Sequence, residues 1–462
     1  MAKKHAGRFR SFLSGIPADT MAIILVSVFL LCLCAYVYGG ITQYNDAVLR
    51  YMTTIADERD KDAEGIRPIT PSVAERAAAT FRDYPRTMLF LTGLFLALSL
   101  LNRWKQTNLQ ATLCALFLLL GIGCSSKVMY QGFYGITGEA GFIVISCIAM
   151  LLSFFLWRRM NCRLPTNLYY LLAGMIVIMI VLNILAIIRG NTINGAANWV
   201  SVGGISIQPS EFIKVGLVLL SSCSMRSTRR KIIYLALAGV SCLVVALAGD
   251  IGTAAIIAVL FFVMVMVLFD EEWISISLLF LFLVAFFVIV RFHPTAQRRF
   301  SECGTAMTNT RSVQQRDFII AIVRGGWLGL GMENAIQFFQ ITAGGTDGVI
   351  GGIQAIFGMP MLLIVIGCYI ILVLQCGFSR NADPSSHPIL LQTAIIFSGQ
   401  ALLNYLGSLD VLPFTGITAP LLSQGGTSTL CTMTLMGIMC ASLCSATECP
   451  AKHSKEGISY AK

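Results

Sequence analysis

Asp347 stands where the glycine-rich stretch GGTDGVIGGIQAIFG (344–358) turns into an apolar run that continues past residue 370. A carboxylate at the edge of hydrocarbon is costly unless it has a partner or a task. Two tasks suit it: capping the helix that follows by accepting backbone N–H bonds, or taking a proton from a substrate hydroxyl as a general base. The polar stretch before it carries Arg298, Arg299, Arg311, Arg316 and Arg324. These read either as a solvated basic surface or as a binding site for phosphate or pyrophosphate, whose oxygens match the guanidinium fork. An anionic lipid carrier is the natural ligand for such a site.

Three further constellations could do chemistry. QPSEFIKV (208–215) places Glu211 and Lys214 three residues apart at a helix start, so they share a face. They form either an intramembrane ion pair or a lysine facing a polar cavity. GDIGTA sets Asp250 between two glycines, where it can cap the next helix or serve a site. LLSQGGTSTL (421–430) offers Ser423, Gln424 and Thr427 around two glycines; it is either a closely packed helix start or a source of donors for sugar hydroxyls. The chain has no HExxH, Walker loop, GxSxG or nucleotide-fold signature.

The elements that hold these residues follow from composition. Of 462 residues, 56% are hydrophobic and only 12% charged, with mean hydropathy +0.76. Soluble domains carry about 25% charge, so the chain is expected to be an all-α polytopic membrane protein. Most of the fifteen cysteines lie inside apolar runs, without metal or disulfide spacing, and read as small packing residues. The net charge of +10 fits loops beside anionic lipid better than nucleic-acid binding, and no nucleic-acid partner is expected. The basic start MAKKHAGRFR precedes an apolar run that reads as an anchor rather than a cleaved signal.

Apolar runs of about spanning length begin near Thr20, Thr87, Leu109, Gly141, Asn167, Ser210, Ile232, Ile251, Ile274, Val349, Ile389 and Thr429, which makes about 12 spans. Lys and Arg clusters mark the cytoplasmic side. Their alternation puts both termini in the cytoplasm, with basic tails at 1–19 and 447–462. It also puts 191–204, 248–254, 293–347 and 409–426 together on the outer face, where residues from distant helices can converge. The long 293–347 connector is expected to be a loop.

Taken in order, these motifs resemble the SEDS family (shape, elongation, division and sporulation), the RodA/FtsW/SpoVE type of peptidoglycan glycosyltransferase. NGAANWV followed by QPSEFIK is similar to that family's N-G-A-x-R-W and Q-P-S-E-x-x-K, and GDIGTA to P-D-L-G-T-A. GGWLGLG (325–331) resembles G-G-x-x-G-K-G, and TDGVIGGIQAIFG (346–358) aligns on T-D-F-I-F-A-x-x-x-E-E-x-G. LPFTGITAPLLSQGGTS (412–428) is close to L-P-x-T-G-x-x-x-P-x-x-S-Y-G-G-S-S. The sequence departs from the pattern at Asn198 (arginine), Leu330 (lysine), Ala355 and Ile356 (an acidic pair) and Gln424 (tyrosine). The resemblance covers 165–446, after N-terminal helices and an outer loop at 20–164, and implies a core of about ten spans with two extra at the N-terminus.

It also implies an activity. In the family the GlcNAc 4-hydroxyl of lipid II attacks the anomeric carbon of a lipid-linked glycan in the outer leaflet of the bacterial cytoplasmic membrane, and undecaprenyl pyrophosphate leaves. Asp347 would then be catalytic. Arg298, Arg299, Arg316, Gln315, Lys214, Trp199, Ser423 and Gln424 would bind substrate, while Glu211, Asp250 and Thr346 would support them. No organic cofactor is implied; Mg2+ or Mn2+ could assist at the pyrophosphate. A class B penicillin-binding protein is the implied partner. The same residues also suit a lipid flippase, or a non-catalytic scaffold that binds lipid II or a transpeptidase.

Overall fold

The computed structural model describes residues 111–113, 115–116, 118–123, 136–190, 196–202, 205–224, 226–269, 272–306, 312–329, 345–377, 386–423 and 425–448. The apolar runs near Thr20 and Thr87, the N-terminal tail, the C-terminal tail beyond Glu448, Gln424, Leu330 and Arg311 lie outside the described residues. From residue 136 onward the chain forms α1 (Ile136–Arg159), α2 (Thr166–Arg189), a hairpin of β1 (Val200–Val202) and β2 (Ile205–Ile207), α3 (Pro209–Ser224), α4 (Thr228–Leu247), α5 (Ile251–Leu268), α6 (Glu272–Phe292), α7 (Pro294–Glu302), α8 (Val313–Gly325), α9 (Val349–Gly377), α10 (His387–Ser408) and α11 (Gly426–Glu448). Among the described residues six helices are long and apolar enough to cross a membrane, or seven if the bent pair at 276–302 is one span.

Burial sorts the helices. In α11 89% of the apolar window is buried, against 28% in α2, so among the described residues α11 is central and α2 peripheral. Serine and cysteine let α11 approach its neighbours closely. A Cβ added at Gly437 would stand 2.2 Å from Met150 O on α1, and Trp157 Nε1 donates to Ser442 Oγ at 3.0 Å. Small residues at such contacts are what helix packing in lipid selects. The described cysteines are free thiols, all buried except Cys303. A groove of 310 Å³ between α9 and α10, lined by residues such as Ile370, Val373 and Leu402, is almost wholly apolar.

The bundle has two unlike ends. At one, cations close helix termini: Lys231 Nζ donates to Leu268 O, the last residue of α5, at 2.6 Å, and Arg230 Nη2 to Thr166 Oγ1 at 2.9 Å. A cation at a helix C-terminus also meets the negative end of the macrodipole. The other end carries the hairpin and the starts of α5 and α9.

Two findings differ from the sequence expectation. The fold includes a short antiparallel hairpin, Val200 pairing with Ile207. The 293–347 connector is not simply a loop. Pro294 stands at the first turn of α7, a position where its missing N–H costs nothing, and α8 packs lengthwise against α9. A Cβ at Gly325 would meet Ala355 O at 2.4 Å and one at Gly329 would meet Ile356 O at 2.2 Å. That tight docking fits onto a kink: Gly358 has φ 78 ahead of Pro360, and the Met359 N–H bonds to Trp327 O at 3.0 Å rather than up its own helix. The polar neighbours of FIIAIV disguised α8, because too few apolar residues stand in a row to read as a span.

Candidate active site

Five segments that are distant in the chain meet at this second end. Asp250 is the N-cap of α5, its Oδ1 accepting from Thr253 N at 3.1 Å. Its Oδ2 accepts from Asn198 Nδ2 at 2.8 Å and Gln208 Nε2 at 3.1 Å. Ala197 N, just before the hairpin, bonds to Ala248 O at 2.8 Å, so the 196–208 segment is laced to the Asp250 turn. That turn presses on the third segment: a Cβ at Gly252 would stand 2.6 Å from Thr415 Oγ1. With both oxygens engaged, Asp250 organises backbone. Asp250→Ala should cost about 0.5–2 kcal/mol for the cap alone, and leaves Asn198 and Gln208 without acceptors. The expected result is a lower unfolding temperature in detergent; an unchanged one would remove the capping role.

Arg298 and Arg299 part company. Arg298 is exposed. Arg299, 8% exposed, points into the bundle with Ala296, three residues away on the same face of α7, and its Nη1 donates to Thr415 O at 2.9 Å. Asp347 stands just ahead of α9, and a Cβ at Gly416 would lie 3.5 Å from its Oδ2. The Asp347 carboxyl is raised to about 6: burial pushes it up, the Arg299 guanidinium holds it below where burial alone would put it, Asp250 raises it and the Thr346 hydroxyl steadies the charged form. The residue keeps partial exposure, so the desolvated carboxyl can still be reached. No direct ion pair joins Arg299 to either aspartate among the described residues.

Behind Asp347 the backbone is held fast. Ser423 Oγ donates to Thr346 O at 2.6 Å and accepts from Ala419 N at 2.7 Å. Asn404 Nδ2 reaches Asp347 O at 2.9 Å and Ile417 O at 2.8 Å. Asp410, with a left-handed φ of 59, accepts from Ala306 N at 2.8 Å through Oδ2 and so anchors the turn after α7. Sequence reading passed over both Asn404 and Asp410. Asn404 did leave a signal, being an amide in the middle of an apolar helix, where polar groups are costly.

The remaining candidates are spread out. Lys214 and Glu211 pair at 2.8 Å, both buried within α3, and so match each other's charge. Trp199 is half-buried next to Asn198. Gln315 is buried on α8, while Arg316 lies 3.9 Å from Asp317, with side chains 39% and 40% exposed, a solvated surface pair worth little. Ala355 joins Phe318 and Ala321 in a small apolar cluster.

Such a chain is a helical membrane protein, one end of which gathers a desolvated carboxylate, a buried guanidinium and backbone locks from five segments. Its family follows from the sequence as a whole: the model of the FtsW/RodA/SpoVE cell cycle proteins matches residues 88–446, and the chain belongs to that family. The match takes in part of the stretch read above as N-terminal helices. The probable peptidoglycan glycosyltransferase FtsW of Bacillus subtilis is 24% identical over 290 residues, 58% of this chain and 72% of that protein. The FtsW of Trichlorobacter lovleyi is 24% identical over 337 residues, 68% of this chain and 85% of the relative. Among solved structures, a chain of a peptidoglycan synthase complex that coordinates polymerization and crosslinking superposes with TM-score 0.56 at 22% identity, covering 72% of this chain and 97% of that one. A mutant of the rod shape determining protein RodA of Thermus thermophilus gives 0.51 at 20% identity, covering 72% and 96%. These likenesses carry the fold.

Proposed function

We propose that this protein polymerises peptidoglycan glycan strands from lipid II at the outer face of the bacterial cytoplasmic membrane, as the names of its relatives suggest. The observation that carries this reading is the Asp347 carboxylate, raised to about 6 beside a buried arginine at the polar end of an apolar bundle. A base of that strength is largely ionised at neutral pH and still basic enough to take a proton. In the reaction the 4-hydroxyl of lipid II gives its proton to Asp347 as its oxygen bonds to the anomeric carbon of the glycan. The carbon–oxygen bond to undecaprenyl pyrophosphate breaks on the opposite face, with inversion. Arg299 supplies positive charge where the departing pyrophosphate gains negative charge.

Two buried atoms at this end, Thr415 Oγ1 and Asn198 Oδ1, lack partners among the described residues. A polar ligand would satisfy them. A protein-held metal fits poorly: Asp250 already accepts three hydrogen bonds, and no group of three or more His, Cys, Asp or Glu that could hold a metal occurs among the described residues. In this reading any Mg2+ or Mn2+ arrives on the pyrophosphate. The departures at Ala355 and Ile356 fall where α8 docks on α9, about eight helical residues, or about 12 Å, from Asp347, and so alter packing rather than the reacting groups.

The complete reading has about 12 spans, cytoplasmic termini and a class B penicillin-binding protein as partner, in division, elongation or sporulation. Polymer formed from lipid II by the purified protein, alone or with such a transpeptidase, tests it. Partner binding without polymer would point to a scaffold, and lipid II movement without polymer to a flippase. Topology has its own test. Half-buried Cys303 should react with an impermeant maleimide in intact cells, slowly at neutral pH because burial raises its thiol, while Cys449 should react only after permeabilisation. Labelling of Cys449 alone would invert the orientation.

A further inference from the structure

The amide of Asn404 lies on α10, 1% exposed. Its Nδ2 is 2.9 Å from Asp347 O, 2.8 Å from Ile417 O and 3.3 Å from Thr346 O, and its Oδ1 accepts from Ile350 N at 3.3 Å. A primary amide has two N–H donors, so the two short contacts take one each and Thr346 O shares. Every polar atom of this buried side chain is thus committed to backbone. On one side is the segment that carries Asp347. On the other is the segment that holds the guanidinium: Thr415 O accepts from Arg299 Nη1 at 2.9 Å, and Gly416 faces the carboxylate.

We propose that Asn404 is a positioning residue, the tie that sets the spacing between the Asp347 carboxylate and the Arg299 guanidinium. It touches neither substrate nor the reacting atoms; it fixes the backbone on both sides of the gap where they meet. The inference rests on the reading of Asp347 as proton acceptor. It differs from ordinary helix packing because the same two helices are also joined by Tyr405 OH donating to Gln354 Oε1 at 2.7 Å, a bond that leaves the Asp347 backbone alone. The charged groups that act on Asp347 are Arg299 from α7 and Asp250 from the turn before α5, with the Thr346 hydroxyl beside it. Arg298 and Glu302 act on Arg299 in turn. Neither α9 nor the 411–423 segment contains a charged residue, so the Asp347–Arg299 spacing is the variable that Asn404 controls.

The test compares Asn404→Ala with Tyr405→Phe in lipid II polymerisation by the full-length protein, reading kcat, KM, the pH profile and thermal stability together. A misplacement of about 1 Å costs on the order of a hundredfold, so Asn404→Ala should lose roughly tenfold to a hundredfold in kcat with KM nearly constant. Its acidic limb should move to higher pH, because a carboxylate freed from Arg299 loses the charge that favours ionisation. Asn404→Ser, which keeps one donor, should recover part of both, and it carries the test if the alanine variant fails to fold. Tyr405→Phe should lower stability and leave the limb in place. An unmoved limb in Asn404→Ala, with kcat falling only as stability falls, overturns the proposal. An Asp347→Asn protein that still polymerises overturns the catalytic reading itself; an inactive one beside a normal Asn404→Ala overturns positioning alone.

Discussion

Asp347→Asn should leave the protein folded and membrane-inserted while glycan polymerisation falls about a hundredfold or more, the usual share of a general base. The amide keeps the size of the side chain, and the locks from Asn404 and Ser423 act on backbone carbonyls, so they survive the change. What disappears is the carboxylate that the proposed reaction uses as its proton acceptor. A residue serving only as a cap would lose about 1 kcal/mol or less on the same substitution, which would appear in melting temperature rather than in product. Polymer measured on matched amounts of wild-type and variant protein separates the two. Normal polymer from Asp347→Asn would remove the base and leave this end of the bundle a structural feature.

The second large effect is expected at Arg299. Arg299→Gln removes a buried cation that faces both aspartates, and loss of one preorganised charge-stabilising group costs about 10²–10³ in kcat. The pH profile gives a sharper signature. Arg299 lowers the Asp347 carboxyl from where burial would put it. Without it the carboxyl titrates above about 6, so the ionised, active form is reached only at higher pH and the acidic limb moves up. Arg298→Gln, one residue away but exposed, should change neither quantity much. Arg159, exposed in the last turn of α1 at the opposite end of the bundle, serves as a control for surface charge. Equal losses from Arg298→Gln and Arg299→Gln, with the limb unmoved, would return the whole basic stretch to the role of a solvated surface.

Asn198 bears on both results. The family pattern has an arginine at this position; here an amide bonds to Asp250. A neutral donor satisfies one oxygen but brings no charge, and among the described residues Arg299 is the cation whose charge acts on both Asp250 and Asp347. This makes the Arg299 effect in this chain large. Replacing Asn198 with arginine would put a second cation beside Asp250, within reach of the same field.

Much of this protein was legible in the sequence because the deciding physics is local. Twenty apolar residues in a row must be helical in lipid, where unpaired backbone groups are unaffordable. Thus α2, α4, α5, α9, α10 and α11 start within a few residues of where hydropathy alone puts them. Asp250 sits between glycines ahead of an apolar run, and its cap is formed by the very next turn. Other features depended on partners far along the chain. Nothing in QRRF says which arginine turns inward; the face of α7 that meets Thr415, 116 residues away, decides it. Asn404 and Asp410 act on Asp347 and Ala306, 57 and 104 residues away. Helix α8 is stabilised by its fit to the kink of α9 rather than by its own pattern. Hydrophobicity and capping are properties of neighbouring residues, but the spacing of a carboxylate and a guanidinium is set by which backbones lie side by side, and only the packed bundle determines that.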